Sequence, residues 1–522
     1  MLHRFAKRLP PASIAYSLIA VGVVLRLVQY ASGRSLWGDE AKLALNIVNR
    51  SYPELLQVLD YDQVAPAGFL LAQKAVTQVL GASEAALRLL PLLVGIATLV
   101  VLHHLAQRLL SPVAVPIVLG FVAFSDRLIY YSSEVKPYAL DVFLTLAILA
   151  YASFDPRTIT RGQALRVAAI GAIAIWFSYP ALFALGGVVL ACVFPALVNQ
   201  IRPSRKPLHW TPTLLALLPW ALSFLLFYAI SIQGNTDNST LQGSWASRRA
   251  FPASLPDLDW LFYSLKRMFQ KPLSFPPPVL NYLAILAWLV GSVAFFRRGR
   301  PAAYALLMSP LVVSLLAAYL NKYPFYSRLI VFLVPLFTMV IAEGLAFLLR
   351  QRRPVALGGA ALALCLLYLP ITTSSSLLLS PRVDEDIRPL MAYAQEHWQP
   401  GDMLYVFEKS KFQFRFYESE YGYEPEDYVI GVDAEDLGIR DSAGIRSLYR
   451  QDLRALCGEA RVWVLVADIS IRRDTEILLD LLERLGQRTE RVEASGLSSF
   501  IDRYDLSACG PAAIARSLSH RP

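Results

Sequence analysis

Eleven apolar runs constrain this chain more than any other feature. They fall near residues 13–31, 86–107, 112–126, 137–154, 164–178, 181–198, 211–231, 279–296, 302–320, 327–349 and 354–372. Runs of about 18 or more apolar residues are candidates to cross a bilayer as helices. Those at 112–126 and 164–178 are short. Charged residues make up only 17% of the chain, against about 25% in an average soluble domain. The expectation is a polytopic α-helical membrane protein of about eleven spans. Arg4, Lys7 and Arg8 precede a long apolar run with no A-x-A site, which reads as a first span and not as a cleaved signal. The net charge of +9 comes without a basic stripe interleaved with aromatics, so nucleic-acid binding is not expected.

The basic residues orient the chain. With the N-terminus inside, the cytoplasmic side receives Arg4, Lys7 and Arg8, then Arg108, then Arg157, Arg161 and Arg166. It next receives Arg202, Arg205 and Lys206, then Arg297, Arg298 and Arg300, then Arg350, Arg352 and Arg353. The opposite side carries few, among them Arg127, Lys136, Lys322 and Arg328. The bias alternates through the whole chain as the positive-inside rule requires. An odd span count then puts the C-terminus outside. Three outer segments are long: residues 32–85, 232–278 and everything after about 375. The expected setting is a bacterial plasma membrane, with residues 1–375 as the membrane domain and 376–522 as a soluble extracytoplasmic domain.

In that tail, charge density rises and strand and helix patterns alternate. "DIRPLMAYAQEHW" (386–398) and "DTEILLDLLERLG" (474–486) have helical spacing, with Asp384 or Asp386 near the start of the first. "GDMLYVFE" (401–408), "YVIGV" (428–432) and "RVWVLVAD" (461–468) read as strands, and "RTERVEASGLSSFIDRYDL" as a closing hairpin. This predicts a small α/β layer. Cys457 and Cys509 both lie there, in a compartment where disulfides persist; spacing alone leaves open whether they pair. Cys192 and Cys365 fall within apolar runs. The chain has no CxxC, no Cys/His zinc pattern, no GxSxG and no phosphate-binding Gly-Lys-Ser/Thr loop.

Just after the first run comes "SLWGDEAKLA" (35–44), with Asp39 and Glu40 adjacent. One reading is local: Asp39 caps a helix and Glu40 suits its first turn. Another is chemical. "YDQVAPAGFLLAQKAV" (61–76) follows, so the loop reads as two helices lying in the membrane interface. The next outer loop brings Glu134, Lys136, Tyr131 and Tyr138, and a later one adds Lys322, Tyr323, Tyr326 and Arg328. Ionisable groups at a membrane face are functional candidates. Acids, cations and aromatics together suit a lipid-linked phosphosugar. Lys or Arg would hold its phosphate, where charge grows as the sugar leaves. A carboxylate would take the proton of the acceptor hydroxyl.

The segments "SLWGDEAKLAL", "YDQVAPAGFLLAQKAV", "YYSSEVKPYALDVF" and "YSRLIVFLVPLF" resemble the GT-C superfamily, nearest its protein O-mannosyltransferase and aminoarabinose transferase branch. The resemblance covers about residues 10–350. It implies an inverting enzyme that uses a polyprenyl-phosphate sugar donor, with a protein, lipid or polysaccharide acceptor. It further implies Asp39 as catalytic base, with Glu40 as the acid beside it. Lys136, Tyr138, Arg328 and Gln63 would be substrate contacts, and Glu134 an acid that in some relatives serves a divalent cation. "VAPAGF" lacks the His of the "HPP" segment found in many relatives, so no metal ligand is assigned there. Two other classes stay open: a lipid-linked sugar transporter or flippase, and a non-catalytic assembly protein. Against the first, the chain shows no convincing internal repeat, and its polar groups cluster outside the spans.

Overall fold

Over its described residues, each of the eleven apolar runs forms helix in the computed structural model of the chain. The structure describes residues 11–152, 158–193, 210–235, 239–467, 472–494 and 499–509. Arg4, Lys7, Arg8, Arg157, Arg202, Arg205, Lys206 and the far end of the 181–198 run lie outside them. In chain order the first helices are α1 (Pro11–Ala31), α2 (Gly38–Asn49), α3 (Ala67–Leu80), α4 (Glu84–Leu109), α5 (Ala114–Ala123), α6 (Asp126–Tyr131), α7 (Tyr138–Tyr151) and α8 (Arg161–Phe177). There follow α9 (Ala181–Val188), α10 (Trp210–Phe227), α11 (Ser239–Ser247), α12 (Leu258–Gln270), α13 (Val279–Arg297) and α14 (Pro301–Tyr319). A 3₁₀ turn (Ser327–Leu333) leads into α15 (Val334–Leu349), and α16 (Arg353–Ser376) closes the helical part. Among the described residues, seven helices are long and apolar enough to cross a membrane, and α5, α7 and α9 are shorter apolar helices.

The chain divides into two compact units, Met1–Ser32 with Arg50–Pro381, and Gly33–Asn49 with Arg382–Pro522. In the first, α15 is apolar all round and buried over nearly its whole length, as a helix with no polar face must be. It packs against α5, α13 and α16, while α4 packs on α7, α8 on α10 and α9 on α14. Near one end of α15, the Glu343 carboxylate is buried. It accepts from Arg298 (2.6 Å), Arg350 (3.2 Å) and the Ser111 amide (2.8 Å), so the buried charge is compensated from three elements. Local signals set the helix starts: Ser83 caps α4, Ser125 caps α6, and Thr160 with Gln163 forms a capping box on α8.

The second unit is an α/β layer. α17 (Arg388–Glu396) leads to β1 (Met403–Val406), α18 (Lys411–Tyr417), β2 (Tyr428–Ile430), α19 (Ser442–Arg454), β3 (Val462–Val466), α20 (Arg472–Leu485), β4 (Gln487–Glu493) and β5 (Phe500–Asp505). The sheet order is β2-β1-β3-β5-β4. β1 lies parallel to both β2 and β3, and β5 is antiparallel to β3 and β4. The predicted strands and closing hairpin are therefore present. α17 starts at Arg388, later than either Asp384 or Asp386; Asp384 instead takes a bidentate bond from Arg382. Cys457 and Cys509 form a disulfide with a Cα–Cα distance of 5.0 Å.

α2 departs from expectation. It belongs to the second unit and packs against α18. Ala41, Leu43, Ala44, Leu45 and Ile47 are all buried. No apolar face remains on α2 to lie in a membrane interface, because protein already covers it.

Candidate functional site

The acidic pair sits in the first turn of α2. The helix begins at Gly38, so Asp39 lies one residue inside it and is not its cap. Glu40 is 0% exposed and pairs with buried Arg34 at 2.6 Å. It also accepts from the Trp37 amide at 3.4 Å, reaching back over the helix start as the acid of a capping box does. Asp39 is partly exposed. The two adjacent acids thus differ in environment: Glu40 is sealed against a guanidinium, while Asp39 keeps part of its surface open.

Residues of the second unit hold the chain that enters α2. The Gly38 amide donates to Glu385 Oε2 at 2.9 Å, and Gln413 Nε2 donates to the same oxygen at 2.6 Å. The Leu36 amide donates to the Tyr417 hydroxyl at 2.8 Å. Ser35 Oγ bonds to Asp386 and accepts from the Arg388 amide at 3.2 Å.

In the membrane unit, Lys136 Nζ donates to Gln63 Oε1 at 2.6 Å, with both side chains buried. Gln63 follows Tyr61 and Asp62, which both take left-handed backbone angles (φ 64° and 54°). Such strain in non-glycine residues tends to gather at functional sites. Tyr138, at the start of α7, meets Tyr131 edge-on with ring centroids 5.1 Å apart. Glu134 is fully buried in the turn between α6 and α7. Arg328 lies in the 3₁₀ turn before α15, which packs against α7. Lys136 lies two residues before α7, the helix on which that turn packs.

Sequence reading passed over three groups. A small, open surface cleft is lined by Arg249, Arg267, Lys271, Tyr263, Tyr326 and Ser327, among others. Arg267 stacks over Tyr326 at 4.6 Å and bonds its hydroxyl at 2.6 Å, and Arg249 stacks over Tyr263 at 4.5 Å. Arg249 and Ser327 again have left-handed angles, φ 56° and 39°. The cations in "WASRRAF" and "SLKRMFQK" were the available signal. Asp141, buried in α7, accepts from Ser178 Oγ at 2.7 Å; an acid within an apolar run was its signal. The partners of α2, Glu385 and Gln413, had no signal, being hundreds of residues away.

Among the described residues, no group of three His, Cys, Asp or Glu side chains is placed to hold a metal ion. A metal role for Glu134 therefore finds no ligand set, and no step is derived through one.

No protein-family model matches the chain, and no curated protein matches it. Solved structures do. ArnT from Cupriavidus metallidurans bound to undecaprenyl phosphate aligns with a TM-score of 0.52 at 13% identity, covering 95% of this chain and 99% of that one. Its apo form gives 0.52 and 13%, covering 95% and 98%. An Archaeoglobus fulgidus oligosaccharyltransferase gives 0.49 and 10%, covering 93% and 72%. The chain is a multi-pass membrane protein that shares the fold of ArnT.

Proposed function

We propose that the protein is an inverting glycosyltransferase that moves a sugar from a polyprenyl-phosphate donor to an acceptor hydroxyl. The observation that carries this reading is the near end-to-end likeness to ArnT, whose structure was solved with undecaprenyl phosphate. The acceptor oxygen attacks the anomeric carbon from the face opposite the phosphate. Its proton passes to an Asp39 carboxylate oxygen, and the bond from carbon to phosphate oxygen breaks. The polyprenyl phosphate leaves with the bonding pair, and the growing charge needs cations. Lys136 and Arg328 take that role, with Gln63 steering Lys136. Arg249, Arg267 and Lys271 add positive charge in the same membrane unit. Tyr138 offers an aromatic wall to the sugar. Glu40 acts through Arg34 to hold the turn that carries Asp39. The reaction is assigned to the outer face of a bacterial plasma membrane, with the N-terminus inside and the C-terminal domain outside. The acceptor is a protein, lipid or polysaccharide hydroxyl.

The test offers purified full-length protein a panel of undecaprenyl-phosphate monosaccharides together with a panel of hydroxyl-bearing peptide, lipid and polysaccharide acceptors, and follows release of undecaprenyl phosphate and glycosylation of the acceptor by mass spectrometry. Wild type should consume at least one of the donors. Asp39→Asn keeps the shape of the side chain and loses its basicity, so turnover should fall by about two orders of magnitude or more. Near wild-type turnover in that variant ends the general-base assignment. A transporter would leave every donor intact.

A further inference from the structure

The second unit of this chain contains both the sheet domain and the helix that carries Asp39. We propose that the C-terminal domain is a positioning arm for Asp39, and that Glu385 is its principal positioning residue. The inference rests on the general-base reading of Asp39 given above.

The geometry is specific. A helix start leaves its first amides without intrahelical acceptors. In α2 two of these positions are met by carboxylates: Trp37 N–H points to Glu40, three residues on, and Gly38 N–H donates to Glu385, 347 residues away. Glu385 is itself steered, since Gln413 Nε2 bonds the same oxygen. The adjoining residues are tied as well. Leu36 N–H reaches Tyr417, 381 residues away, and Ser35 bonds Asp386 and the Arg388 amide. Three of the four residues from Ser35 to Gly38 are thus tethered to the segment 385–388 or to α18. Gly38 is the residue immediately before Asp39, so the Glu385 bond fixes the Trp37–Gly38 peptide, one residue ahead of the Cα from which Asp39 projects. A general base must stay within hydrogen-bond reach of its proton, and small misplacements there cost rate steeply. A domain that only docked would not need hydrogen bonds to three of the four residues that lead into the base.

The test uses full-length protein in detergent, with the undecaprenyl-phosphate monosaccharide and the acceptor that wild type uses. Glu385→Ala, Glu385→Gln, Tyr417→Phe and Asp39→Asn are compared by hydrogen–deuterium exchange and by steady-state kinetics. In Glu385→Ala the peptide spanning Gly33–Asn49 should exchange about tenfold faster or more while β1 and β3 keep their protection. Turnover should fall about ten- to a hundredfold, with donor KM within about twofold. Glu385→Gln retains an oxygen to accept from Gly38 N–H and Gln413, and should recover most of both. The proposal is overturned if Glu385→Ala leaves that exchange unchanged, if exchange rises at full turnover, or if Glu385→Gln is as impaired as Glu385→Ala. If Glu385→Ala also loosens the sheet, Tyr417→Phe carries the same criteria, because it removes only the oxygen that accepts from Leu36. Asp39→Asn separates the two claims. Full turnover there removes the base and the arm together. A dead Asp39→Asn beside a fully active, loosened Glu385→Ala removes the arm alone.

Discussion

At the residue scale, the chain shows how position in the fold splits like residues. Asp39 and Glu40 are neighbours, yet one is partly buried and the other sealed with Arg34. A carboxylate buried this deeply is tolerable only when paired, so Glu40 is committed to holding its turn. Glu408, at the end of β1, takes the other course. It is buried, one oxygen accepts from the Tyr449 hydroxyl at 2.6 Å, and the other has no hydrogen-bond partner. Burial pushes its carboxyl up to about 7, partly opposed by the Tyr449 bond. In the unfolded chain the same group titrates near about 4.3. The folded state thus binds the extra proton between those values. The contribution of Glu408 to stability is present below about pH 4 and lost as pH rises through about 7, a change of about 4 kcal/mol. Pulse proteolysis of the full-length protein should therefore find the C-terminal domain less resistant at pH 8 than at pH 5. Glu408→Gln keeps an acceptor for Tyr449 and carries no proton to lose, so it should narrow that difference. An unchanged pH dependence in Glu408→Gln would assign the effect to other groups.

At the element scale, the membrane unit depends on backbones that approach closely. α13 and α15 cross at Gly291 and Gly344. A Cβ on Gly344 would fall 2.2 Å from Ala287 O, and one on Gly291 would fall 1.9 Å from Val340 O. The atoms met are backbone, which cannot swing aside, so small residues are required here for the helices to touch. Gly344→Ala should force the pair apart and cost about 1–3 kcal/mol or more, read as an earlier thermal transition of the purified protein. Gly358→Ala in α16, where nothing lies within 4 Å, should leave the transition in place. These elements were legible in the sequence because hydropathy and caps are local signals. The tail strands were legible for the same reason, as short β-rich runs between turns. The helical character of α2 was legible too, but its neighbours were not: amphipathicity says that a face is covered and not by what.

At the scale of the whole molecule, the Cys457–Cys509 bond joins the end of α19 to the segment after β5 across a separation of 52 residues. Closing a loop of that size constrains the unfolded chain by about 4 kcal/mol. Disulfides persist in oxidising compartments, so the bond is compatible with the outside placement proposed above for the tail. Non-reducing peptide mapping of protein from intact cells should recover one linked peptide containing both residues. Alkylation of both without reductant would remove the bond and weaken the outside placement of the tail. Cys457→Ser with Cys509→Ser should lower the resistance of the C-terminal domain to proteolysis and leave the membrane helices in place.

The amino-acid sequence by itself determined the helical membrane part, the α/β tail and the acids and cations that draw attention. Each of these is written in stretches of ten to twenty residues, where periodicity, capping and hydropathy act. What only the tertiary structure decided is who meets whom. Glu385 reaches Gly38, Gln63 reaches Lys136, and the short segment Gly33–Asn49 folds with residues beyond 381. Those pairings join residues far apart in the chain. They are selected by packing and by the cost of leaving a buried polar group unmatched, which no local pattern records.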